Sequence, residues 1–151
     1  MGRAIGSAVA GYVAMFVIVF FGLSLAWLVM GADGAFKTGT WNTSTAWVVT
    51  MLLVGIVAAM TGGCVCSKLG RQSRAVMILV GIVVVFGLVD VAMGFARDPG
   101  VLDAVRVGQV SMFEAMGNAR PPGWFSIVNV IVGVAGVLVG AKLQGGAAFR
   151  A

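Results

Sequence analysis

Histidine is missing from this 151-residue sequence. Its absence removes the commonest metal ligand, the usual general base of a catalytic triad and the usual axial ligand of haem and of chlorophyll-type pigments. The two cysteines, Cys64 and Cys66, form a Cys-x-Cys pair, so there is neither a Cys-x-x-Cys redox motif nor a second pair for a tetrahedral metal site. We therefore expect no enzymatic activity, no metal site and no bound cofactor, while contacts with lipid or pigment stay open.

Charged residues are also scarce. They make up 10% of the chain, and hydrophobic residues make up 60%, whereas soluble domains have about 25% charged residues. The net charge of +5 comes from ten basic residues that are dispersed along the chain. A nucleic-acid partner would require a contiguous basic face, which this pattern does not provide. The composition thus excludes nucleic-acid binding and argues against a soluble globular domain.

In place of these features the sequence has four long apolar runs that contain one formal charge between them. They cover residues 4–30, 46–67, 75–96 and 124–141. An α-helix of about 20 residues, with a rise of 1.5 Å per residue, crosses a hydrocarbon core about 30 Å thick. The runs predict an all-α integral membrane protein in which 1–151 form a single domain, an up-down bundle of four transmembrane helices. Membrane lipids are its first expected partners.

The distribution of basic residues predicts the orientation of the bundle. If the N-terminus is cytoplasmic, the cytoplasmic side has no acidic residue and carries Arg3, Lys68, Arg71, Arg74, Lys142 and Arg150. On the other side, basic residues are balanced by an equal number of acidic ones. Such an excess of Lys and Arg on one side is typical of the cytoplasmic face. We expect a multi-pass protein of the bacterial inner membrane with both termini in the cytoplasm.

The outer side of this topology contains the tryptophans and one long loop. Indole rings favour the headgroup level of a membrane, so we interpret the four tryptophans as outer interface anchors. They are Trp27, Trp41, Trp47 and Trp124. The alternative is that they form a docking patch on the outer surface. The loop covers 97–123, and its Ser111-x-x-Glu114 capping box predicts a short amphipathic helix that ends near Asn118. This helix would be an interfacial connector or a lid.

Small residues recur at helical spacing within the runs. Asn129, Gly133, Gly136 and Gly140 follow one another at i, i+4, i+7 and i+11, and Gly55 and Gly62 share a face of the second helix. In lipid, small residues allow helix backbones to approach closely and gain dispersion contacts. We predict that these glycines form packing seams. The seams are either internal to the bundle or shared with other subunits.

Four polar residues are predicted to lie at one depth in the membrane. Asp90 is the one side chain within the runs that is charged at pH 7, and it lies six residues before the end of the third run, about 9 Å at 1.5 Å per residue. Ser24, Thr50 and Asn129 have similar depths in the other three helices. A buried carboxylate requires partners. This layer is either a proton- or cation-responsive site or a hydrogen-bonded clasp between helices.

The last third of the chain carries a resemblance. Residues 113–116 (FEAM) and 119–121 (ARP), followed by Trp124, Asn129, Gly133 and Gly136, resemble a group of small bacterial four-helix membrane proteins of unassigned function. The resemblance implies a fold and no activity. From the residues themselves we expect a non-catalytic accessory or structural subunit that packs with other subunits, or with copies of itself, in a respiratory, photosynthetic or transport assembly. The alternative is a small oligomeric transporter or channel that uses the Asp90 layer.

Overall fold

The computed structural model of the protein describes residues 2–70, 73–96 and 110–144. These residues form five α-helices and no β-strand, and four of the helices are long and apolar enough to cross a membrane. This confirms the all-helical class and the four apolar helices. In chain order the helices are α1 (Gly2–Ala35), α2 (Thr45–Gly70), α3 (Ser73–Ala96), α4 (Met112–Asn118) and α5 (Gly123–Gln144).

The helix ends lie close to the ends of the apolar runs. The largest extension is in α1, which continues five residues past Met30, but its backbone breaks at Gly31 with φ 62° and ψ −173°. This conformation is open almost exclusively to glycine. The continuous part of α1 therefore stops where its apolar run stops, and a separate turn leads into the loop before α2.

The four long helices alternate in direction but do not surround the core in chain order. Gly11 of α1 lies against Gly62 of α2, whereas the later residue Gly22 lies against the earlier residue Val54, so α1 and α2 are antiparallel. In α2 and α5 the contacts advance together, since Gly55 lies against Asn129 and the later Gly63 lies against the later Val137, so these two helices are parallel. Neighbours around the bundle follow the order α1, α2, α5, α3, and in the described part of the chain α1 and α5 do not touch.

The basic residues of the long helices and the tryptophans lie at opposite ends of this bundle. At what we call the basic end, α1 and α3 begin and α2 and α5 finish. This end holds every described basic residue of the long helices, namely Arg3, Lys68, Arg74 and Lys142. Trp47 and Trp124 begin α2 and α5 at the other end, here the tryptophan end. Arg71, Arg150 and residues 97–109 of the predicted outer loop lie outside the described residues.

Two clusters of buried side chains form the core. The cluster towards the basic end consists mostly of small residues, and Ala8, Ala59, Cys66, Leu79 and Val137 have no exposed surface there. The cluster at the tryptophan end contains larger rings around Ala35, Phe36, Trp47 and Ala115. Small residues bring the helices together at one end, and aromatic rings fill a wider space at the other.

Candidate functional site

The predicted polar residues all lie in the half of the bundle nearer the tryptophan end, but no hydrogen bond joins them within the described residues. The Ser24 hydroxyl donates to the carbonyl of Phe20 at 2.7 Å, and the Thr50 hydroxyl donates to the carbonyl of Ala46 at 2.9 Å. Both of these bonds stay within one helix, and the Thr50 hydroxyl also lies within hydrogen-bonding distance, 3.8 Å, of the Met30 sulfur in α1. Asn129 is exposed on α5, with its Oδ1 facing Gly55. Ion binding or helix clasping by this layer stays a prediction.

Asp90 lies on an apolar and exposed part of α3. Phe86, Leu88, Val89 and Met93 around it are each at least half exposed. Asp90 is itself exposed, and its carboxylate forms no hydrogen bond or ion pair with another residue of the described chain. The one carboxyl group within the four apolar runs thus points away from the core.

Glycines bring α2 and α5 into backbone contact. A Cβ atom added to Gly136 would lie 2.6 Å from the Cβ of Ala59, and one added to Gly140 would collide with the carbonyl oxygen of Met60. The Cys64 thiol donates across the same contact to the carbonyl of Gly140 at 3.0 Å. The backbones of α2 and α5 approach this closely because glycine has no side chain at positions 136 and 140.

The remaining seam glycines also face neighbouring helices. A Cβ on Gly62 would lie 2.9 Å from the carbonyl oxygen of Gly11 in α1, and one on Gly133 would lie 3.1 Å from Val83 in α3. Buried polar side chains in the described part of the chain are Ser7, Thr43 and Ser67, all near helix ends or in a loop. The middle of the bundle is therefore filled by apolar and backbone atoms, and no polar path crosses it in the described residues.

Three of the four tryptophans belong to one aromatic cluster. The ring centroids of Trp27 and Trp47 are 6.0 Å apart, and Phe36 lies 6.3 Å from Trp27 and 5.6 Å from Trp41. Trp47 is 8% exposed, whereas Trp124 is 52% exposed and pairs with the neighbouring Phe125. Trp124 can meet lipid freely, while Trp47 packs within the protein. Their role as outer interface anchors stays a prediction.

Hydrogen bonds hold the loop between α1 and α2 over this cluster. Ser44 caps α2, because its hydroxyl accepts from the amide of Trp47 at 3.1 Å and donates to the carbonyl of Gly34 at 2.5 Å. The amide of Thr43 donates to the carbonyl of Arg120 at 3.1 Å, and the amide of Arg120 donates to Trp41 at 3.0 Å. The segment before α5 is thus fixed to the loop after α1.

The short helix α4 closes an apolar cavity beside the aromatic cluster. Ser111 caps this helix, since its hydroxyl accepts from the amide of Glu114 at 3.2 Å. The cavity has a volume of about 260 Å³ and lies between α1, α2, α4 and the loop after α1. We call it the aromatic cavity; its lining is Phe16, Val19, Phe20, Leu23, Trp27, Phe36, Trp47, Met51, Met112, Ala115, Met116 and Ala119.

Sequence reasoning singled out Trp27 and Trp47 but did not find this cavity. A signal exists in α1, where Phe16, Val19, Phe20, Leu23 and Trp27 follow helical spacing on one face. In a helix that is apolar on every side, however, this face does not stand out from the faces that contact lipid. The contribution of α4 comes from a part of the chain far from α1 in sequence.

Comparisons with known proteins give no relative. No protein-family model, no curated protein and no solved structure matches this chain. The resemblance of its last third to small bacterial four-helix proteins therefore stays an expectation.

Proposed function

We propose that this protein is a non-catalytic subunit that packs against other membrane-protein chains, or against copies of itself, in a larger membrane assembly. The observation that supports this best is the exposed position of Asp90 on an apolar face of α3. A charged carboxylate costs about 2.5–3.5 kcal/mol at the centre of a membrane helix on insertion scales, and Asp90, six residues from the end of α3, carries a smaller cost of the same kind. A hydrogen-bond donor on a neighbouring chain would remove much of that cost.

The dry interior of the bundle supports a structural role. The glycine contacts between α2 and α5, and between α1 and α2, leave no room for a polar path through one copy of the chain in the described residues. Transport of an ion or a polar solute requires such a path or a water-filled cavity. A tightly packed bundle instead offers a rigid surface for lipid and for neighbouring helices.

We further propose that the bundle lies in the bacterial inner membrane with its basic end in the cytoplasm. The separation of the basic residues of the long helices from the tryptophans supports this orientation, because Lys and Arg favour the cytoplasmic side. In this orientation both termini are cytoplasmic, and α4 lies at the outer surface as part of the loop 97–123. Glu114, which is exposed on α4, then faces the outer aqueous phase.

Purification from native membranes in a mild detergent tests the subunit proposal. We expect native mass spectrometry to find the chain with a stoichiometric partner or as a homo-oligomer, and Asp90→Lys to weaken that association. Glu114→Lys is the control, because Glu114 is an exposed acid outside the long helices. A wild-type chain that is monomeric in native lipid, or an association that Asp90→Lys leaves intact, contradicts the proposed role of Asp90.

A second candidate is a small oligomeric transporter with Asp90 at the interface between copies. The same observation favours it, since an unpaired acid at a helix surface becomes internal when another copy covers it. The expected result is a pH-dependent flux in liposomes that Asp90→Asn abolishes. Flux that is absent from the oligomer, or that Asp90→Asn leaves unchanged, argues for the structural role.

A further inference from the structure

We propose that the aromatic cavity binds one acyl chain of a membrane phospholipid. All twelve residues that line it are apolar or aromatic. A buried water needs two to four polar partners, so this space is unsuited to water, and an apolar cavity of about 150 Å³ is already large enough for benzene. At about 260 Å³ the aromatic cavity has room for a longer hydrocarbon segment.

Exposure of the lining residues shows where a chain would enter. Phe16 and Met116 are 62% and 59% exposed and form the rim, whereas Phe36 and Trp47 are 3% and 8% exposed and form the floor. Phe16 belongs to the apolar span of α1, which no other helix covers on this side. The mouth therefore opens along the lipid-facing surface of the bundle, where acyl chains are the molecules present at high concentration.

The chemistry of the walls favours a flexible chain over a polar ligand. Sites for polar ligands and ring cofactors contain a few polar groups that fix orientation, and the aromatic cavity has no charged, amide or hydroxyl side chain in its lining. Met51, Met112 and Met116 are unbranched and adapt to the shape of what they contact. A hydrocarbon chain needs no directional partner and gains dispersion contacts with all of these walls.

Tryptophan fluorescence in lipid with bromine at the middle of its acyl chains tests the proposal directly. One protein keeps Trp47 alone and has phenylalanine at the other three tryptophan positions. A second keeps Trp124 alone, which faces lipid. Bromine quenches on contact, so we expect Trp47 to be quenched to a similar degree as Trp124 although it is buried in the protein.

Substitutions that fill the cavity provide the specific readout. Val19→Phe places a larger side chain in the aromatic cavity, and Val17→Phe is the matched control, because Val17 lies on the same helix, is 43% exposed and does not line the cavity. Since the phenyl ring takes up space that the chain would occupy, we expect Val19→Phe to lower Trp47 quenching about twofold. Val17→Phe should have no effect, and quenching of Trp124 should not change in either variant.

A second filled variant, Ala119→Leu, changes a lining residue at the end of α4, so the result does not depend on α1 alone. Circular dichroism and size-exclusion chromatography identify any variant that fails to fold. The proposal is overturned if brominated lipid does not quench Trp47 fluorescence. It is also overturned if neither Val19→Phe nor Ala119→Leu reduces that quenching. Quenching by a brominated detergent but not by brominated phospholipid also overturns the proposal, because the site would then accept single-chain amphiphiles only.

Discussion

At the scale of single residues, Gly140 marks the closest approach between α2 and α5. Replacement by alanine would force a methyl group into the carbonyl oxygen of Met60, which is backbone and cannot rotate away. We expect Gly140→Ala to lower the free energy of unfolding by about 1–3 kcal/mol, as overpacked cores do. Equilibrium unfolding in mixed micelles, followed by circular dichroism, measures this change.

Gly81→Ala is the control for this prediction. Gly81 is exposed in the middle of α3, and a Cβ atom added to it meets nothing within 4 Å. Alanine has a higher helix propensity than glycine by about 1 kcal/mol, so the unfolding free energy should stay the same or rise. Equal losses of stability from both substitutions would contradict the contact between Gly140 of α5 and the Met60 carbonyl of α2.

Gly31 has a different reason to be glycine. Its φ of 62° and ψ of −173° break α1, and its added Cβ would meet no other atom. Gly31→Ala should therefore destabilise through backbone strain alone, by about 1–3 kcal/mol. Gly6→Ala is the comparison, because Gly6 has the same open surroundings and a helical backbone. Thermal unfolding in detergent should separate the two, and no difference between them would rule out the break at Gly31.

At the scale of elements, Ser44 connects the end of α1 to the start of α2. Ser44→Ala removes the cap of α2 and the bond to the carbonyl of Gly34, so we expect a loss of about 0.5–2 kcal/mol in unfolding free energy. Ser44→Thr keeps a hydroxyl and should retain most of the stability. Hydrogen exchange at the amide of Trp47 should speed up in the alanine variant, and an unchanged rate would contradict the capping role.

The extents of the elements could be predicted from the sequence, but their neighbours could not. Helices in lipid require apolar side chains over a fixed length, so the apolar runs and the helices nearly coincide. The parallel contact between α2 and α5 had no comparable signal. Gly55 and Gly136 indicate helix faces that pack closely against another helix. The spacing of small residues does not indicate which helix is the partner, because it is the same for every partner.

At the scale of the whole molecule, the separation of charge and aromatic residues predicts the orientation in the membrane. Lys37 is exposed at the tryptophan end and Lys68 is exposed at the basic end. With Cys64 and Cys66 replaced by alanine, we expect a membrane-impermeant maleimide to label Lys37→Cys in intact cells. Lys68→Cys should react only after the membrane is opened. The reverse pattern, or labelling of both from outside, would contradict a cytoplasmic basic end.

The polar residues illustrate how far depth can be read from a sequence. Counting residues from the helix ends predicts one layer for Asp90, Asn129, Ser24 and Thr50, and this layer stays a prediction. Counting does not give the direction of each side chain around its helix. The Ser24 hydroxyl bonds to its own helix, the Thr50 hydroxyl bonds to its own helix and to the Met30 sulfur of α1, and Asp90 faces outward, because the rotation of each helix is decided by its packing partners.

The sequence by itself determined the four helices that are long and apolar enough to cross a membrane, because polar groups are costly in hydrocarbon and are kept out of segments of that length. The tertiary structure decided the ring order of the helices, the exposure of Asp90 and the aromatic cavity under α4. Those features depend on which helix faces pack against each other. Because these faces are equally apolar, hydrophobicity does not distinguish them, and the shape complementarity of segments distant in sequence selects the pairs that pack.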